Sequence, residues 1–120
     1  MKFKLNTLTL LLLSAPLVAN AGISLEGDNW GDLPQATTDT TPQTVGHFII
    51  GSSATKPSSM TIDNGSVLNV TDTLHIGNNN NNDFSGKVTV TGAGSKLESN
   101  DLINVGNYSN GSLSVLNGGK

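Results

Sequence analysis

"LHIGNNNNNDFSGKVTVTGAGSKLE", residues 74–98, sets five consecutive asparagines between two short runs of alternating aliphatic residues. Asparagine disfavours the interiors of helices and strands alike. The run is therefore either a linker between unrelated segments or a loop on a structure that repeats on both sides of it. The flanks favour the loop. The aliphatic–Gly step before it, Leu74-His75-Ile76-Gly77, has counterparts at Phe48-Ile49-Ile50-Gly51 and at Leu102-Ile103-Asn104-Val105-Gly106. Gly51, Gly77 and Gly106 thus recur at a similar but not identical interval. Each step leads through a polar stretch of variable length into a strand-like segment: Met60-Thr61-Ile62, Val88-Thr89-Val90 and Leu113-Ser114-Val115. A glycine turn follows every time, in "DNGSVL", "TGAGSKL" and "LNGGK".

The alternation in "KVTVT" and "SLSVL" has period two, which marks a strand with one buried face. No window from Gly22 onward keeps the three-and-four apolar spacing of a helix. A repeat of this length made only of strands and turns predicts stacked coils. One coil buries little, but successive coils share an aliphatic core, with parallel strands about 4.8 Å apart. Ile62, Val90 and Val115 are then expected to lie in one column, and Ile50, Ile76 and Val105 in another. Gly51, Gly65, Gly77, Gly94, Gly106 and Gly119 are expected at the corners, because positive φ costs glycine least. The asparagine run falls where the repeats differ in length and reads as a solvent-facing loop.

The stretch from Met1 to Ala21 reads as an address. Lys2 and Lys4 precede an apolar run over residues 8–15, and Ala19-Asn20-Ala21 supplies the small-x-small pattern of signal peptidase cleavage before Gly22. The run is shorter than the roughly 20 residues a transmembrane helix needs. Removal of the signal leaves Gly22 to Lys120, with four lysines against nine carboxylates. The chain has neither arginine nor cysteine. The first absence weighs against nucleic-acid binding, and the second excludes disulfides and thiolate chemistry. Residues 22–46 show no repeat and read as a flexible leader, with a cap over the first coil, carried by Trp30, as the alternative. Residues 47–120 carry the repeats.

The stretch "GKVTVTGAGSKLESNDLINVGNYSNGSLSVLNGGK", residues 86–120, resembles the passenger-associated repeats of bacterial autotransporters (type V secretion), which also occur in PEP-CTERM-associated proteins. A weaker copy spans residues 59–77. The resemblance covers about half the chain and departs from the pattern at Leu97, where many members carry tryptophan. It implies a β-helical passenger displayed at the outer membrane of a Gram-negative bacterium by a C-terminal β-barrel, with host or neighbouring-cell ligands. No such barrel fits within these 120 residues. The resemblance therefore implies that the chain is the N-terminal part of a longer passenger, dependent on further coils and a translocator, and periplasmic if made alone.

No residue reads as catalytic, metal-binding or cofactor-binding. His47 and His75 are the only histidines; ligation of a metal by adjacent coils is the sharper reading, and outward strand positions the favoured one. Asp63, Asp72, Asp83 and Asp101 fall at turns, where aspartate bonds its own backbone. The calcium nonapeptide is absent. A polysaccharide-cleaving enzyme needs carboxylates clustered at defined spacing, and these are scattered. The sequons at Asn64, Asn69, Asn107 and Asn110 read as chance in a chain rich in Asn, Ser and Thr. The expectation is thus an all-β fold, a right-handed parallel β-helix of about three coils after a cleaved signal peptide, serving as a non-enzymatic structural or adhesive passenger segment. The rivals are the leading part of a glycan-acting β-helix whose catalytic coils lie elsewhere, and a trimeric adhesin head.

Overall fold

The computed structural model describes residues 22–52, 56–78 and 85–120. Ala19 and Ala21 of the cleavage motif, four of the five asparagines and Asp83 lie outside the described residues. Eleven strands follow in chain order: β1 (Gly22–Glu26), β2 (Asn29–Gly31), β3 (Gln43–Val45), β4 (Phe48–Ile50), β5 (Ser58–Asp63), β6 (Val67–Val70), β7 (Leu74–Ile76), β8 (Gly86–Thr91), β9 (Lys96–Ser99), β10 (Ile103–Val105) and β11 (Gly111–Leu116). No helix occurs among the described residues.

The strands form three sheets, in the orders β1-β5-β8-β11, β2-β4-β7-β10 and β3-β6-β9. Every pairing among β3 to β11 is parallel. The two sheets that receive β1 and β2 are mixed, because these strands join β5 and β4 antiparallel. The parallel ladder expected from the repeats therefore accounts for only part of the sheet pairing. The leader, which lacks the repeat, also lacks its strand direction in β1 and β2, yet its three strands each close one sheet edge.

The registers carry both expected columns. Ile62 pairs with Val90, and Val90 with Val115; Ile50 pairs with Ile76, and Ile76 with Val105. Alternation in β5 turns Met60 and Ile62 inward and Thr61 outward. Phe48, Ile50, Leu74, Ile76, Val88 and Val90 are fully buried. Burial stops at the third member of each column. Val105 and Val115 are 45% and 50% exposed, and Leu113 is 36% exposed, because no described strand is stacked on β10 and β11. Lys120 alone reaches past, exchanging backbone hydrogen bonds with Ser95 and Leu97 beside β9.

Loop and corner lengths absorb the uneven spacing. Ile50 faces Ile76, Ile62 faces Val90 and Leu68 faces Leu97, so the step between partners lengthens from β4 through β5 to β6. The last increment arises at the corners. Asn64-Gly65 turns with positive φ at both residues, whereas the next repeat spends Gly92-Ala93-Gly94 on the same corner, with positive φ at both glycines. Asn117-Gly118 returns to the shorter form, at φ 51° and 85°. Here the structure differs from the sequence expectation. Gly118, not Gly119, holds the left-handed position, because asparagine tolerates that conformation and the turn begins one residue earlier. The other five expected corner glycines all have positive φ. At Gly77 the constraint is also steric, since a Cβ would lie 2.4 Å from the carbonyl oxygen of Asn110.

Met60, Val88 and Leu113 share a column but not an environment. Met60→Ala is expected to cost about 2–5 kcal/mol in urea unfolding, as a buried truncation that leaves a cavity. Leu113→Ala should cost about 1 kcal/mol, since no cavity is enclosed. Equal losses would show that the third layer is covered.

Candidate functional site

The sheet faces are mostly Ser, Thr and Asn, and one place differs. The outer face of the sheet β2-β4-β7-β10 brings together the single tryptophan of the chain and both histidines. Period two explains why. Leu74 and Ile76 fill the core, so His75 between them points out. Phe48 and Ile50 do the same for Ile49, and Trp30 sits outward beside it on β2. Trp30, Ile49, His75 and Asn104 thus form a column across four strands.

His47 stands immediately before β4, and its backbone is pinned by Asp32. The Asp32 N–H donates to the His47 carbonyl at 2.9 Å. The Asp32 carboxylate accepts the N–H of Gly46 at 2.6 Å. Gly31 permits this approach, since a Cβ there would lie 2.4 Å from the same His47 carbonyl. The His47 ring meets Trp30 edge-on at 6.0 Å between centroids, and His75 edge-on at 5.2 Å. His75 faces Ile49 across the ladder, and His47 lies two positions before Ile49, which makes the histidines same-face neighbours on adjacent repeats. Trp30 is 60% exposed, on the strand β2 that closes the edge beside β4. The His75 pKa is lowered, first by partial burial and second by the nearby charge of His47. Its Nδ1 is shut away from solvent without a hydrogen-bond partner.

The turn carboxylates do not gather here. Asp72 accepts from the N–H of Thr73 at 2.7 Å, and the Thr73 hydroxyl reaches Asp101 on the next repeat at 3.0 Å. Asn107 donates to Asn78 across another pair of repeats, and Asn117 to Thr91. These contacts lace layers together by polar ladders. No three histidine, aspartate or glutamate side chains converge into a metal-holding group among the described residues. Gly22, expected just after the cleavage point, is the first residue of β1 and faces Asp63. The residue types at the aromatic cluster were visible in the sequence. The contact of Trp30 with His47 was not, because it depends on the antiparallel return of β2.

In comparison with known proteins, no family model matches the chain, and neither a curated protein nor a solved structure matches it.

The lowered His75 pKa fixes a direction for pH dependence. Its folded-state value lies below the ordinary 6.5, so the unfolded chain takes up the proton first. The stability it contributes is complete above 6.5 and is lost as pH falls from there through the folded-state value. The Tm is expected to drop between about pH 7.5 and about pH 5, and to drop less in His75→Gln. Identical profiles for the two proteins would contradict this.

Proposed function

We propose that the chain is a structural passenger segment of an exported, autotransporter-like surface protein, built as a right-handed parallel β-helix. The observation that carries this reading is the open end of the stack. Val105, Leu113 and Val115 stand in register over buried Ile76, Val88 and Val90 yet remain partly exposed. A further repeat of the same kind, laid parallel on β10 and β11, would bury them as β7 and β8 bury their neighbours. A module of this design supports length and rigidity rather than chemistry, and its polar faces and loops present the binding surface. The N-terminal basic and apolar segment with Ala19-Asn20-Ala21 supports export. The partners are further coils, an outer-membrane β-barrel and ligands on other cells. The location is the surface of a Gram-negative cell.

The test fuses the whole chain, through Lys120, to the outer-membrane barrel of an autotransporter. We expect cleavage before Gly22 and a passenger on intact cells that added protease can reach. A product that keeps Met1 and stays in the cytosol would overturn the proposal, as would one degraded in the periplasm.

A further inference from the structure

We propose that His47 and His75 together bind a single divalent transition-metal ion and so clamp two successive repeats. The two imidazoles come from different layers, yet their centroids are 5.2 Å apart. That distance is the one an ion requires. With a metal–nitrogen distance of about 2.1 Å and a ring centroid about 1.1 Å behind the nitrogen, two imidazoles on a tetrahedral ion stand about 5 Å apart. In the proposed site the two rings turn about their side-chain bonds to direct one nitrogen each at the ion, while β4 and β7 keep their places. The Asp32 N–H on the His47 carbonyl and the Gly46 N–H on the Asp32 carboxylate hold one ligand in place, and buried Leu74 and Ile76 hold the other.

One further observation bears on this place. The Nδ1 of His75 is the one buried histidine nitrogen among the described residues without a hydrogen bond, and such a group calls for an explanation such as an ion. The donor set decides the metal. Two imidazoles and no thiolate suit copper, nickel or zinc rather than calcium or magnesium. With no third protein ligand converging among the described residues, water completes the coordination and the site is a modest binder. Affinity follows the order in which Cu²⁺ exceeds Ni²⁺ and Zn²⁺.

Trp30, the only tryptophan, lies 6.0 Å from His47 and reports on the site. Residues 22–120 are titrated with CuCl₂ while tryptophan emission is followed, and with ZnCl₂ while the Tm is followed. Saturable quenching at one ion per chain, reversed by EDTA, is expected, together with a rise in Tm because the ion binds only the folded chain. His47→Gln and His75→Gln each remove one ligand from an outward position, with folding checked by circular dichroism. Either variant should weaken the quenching about 10–100-fold, at least what the loss of a supporting partner costs at a metal site, and abolish the rise in Tm. If one variant fails to fold, the other suffices. Quenching that does not saturate, or that is unchanged in a folded variant, would overturn the proposal and leave the imidazole pair as an aromatic packing contact.

Discussion

The structure depends on one constraint: a single repeat cannot bury its own aliphatic face. Ile62 is covered by Val90, and Ile50 by Ile76, and in each case the cover comes from the neighbouring layer. Burying a side chain of this size stabilises by roughly 1.5–3 kcal/mol, and parallel pairing supplies the backbone hydrogen bonds that make this possible. Layers must therefore lie in register, because a slip of one residue would turn every inward side chain out. Loops and corners are free to vary so long as the register is kept. The repeats do vary, with loops of different length and a corner that takes either a shorter or a longer form.

The two ends of the stack show the same constraint from opposite sides. At the first end, β1, β2 and β3 close one sheet edge each, and Ile23 enters the core beneath Ile62. β1 and β2 end the parallel ladder by joining β5 and β4 antiparallel, while β3 keeps the parallel direction on β6. At the other end, β10 and β11 keep the repeat geometry and stay uncovered. The partial exposure of Val105, Leu113 and Val115 there is the observation on which the proposed function rests.

Much of this was legible in the sequence. Period-two alternation gave the strands, and the recurrence of an aliphatic–Gly step gave the columns and most of the corners. Gly119 failed because Asn117 takes a left-handed conformation itself, which shifts the turn by one residue. The leader was ambiguous for a different reason. Its first two strands pair with β5 and β4 from outside the repeat, so nothing in its own periodicity announces them. The His47–His75 contact was half legible. Outward positions followed from alternation, but their distance depends on the register of β4 against β7, where the glycine spacing alone could not say which residues face each other.

In-register stacking is the central claim, and disulfide trapping measures it directly, since the chain has no cysteine of its own. Thr61 and Thr89 are register partners on outward positions of β5 and β8. Neighbouring strands about 4.8 Å apart fall inside the roughly 4.4–6.8 Å that a disulfide spans. The pair Thr61→Cys with Thr89→Cys should oxidise readily within one chain. Ser59→Cys with Thr89→Cys, displaced along the strand to the next position on the same face, should not. Equal cross-linking of both pairs, or of neither, would contradict the layered register.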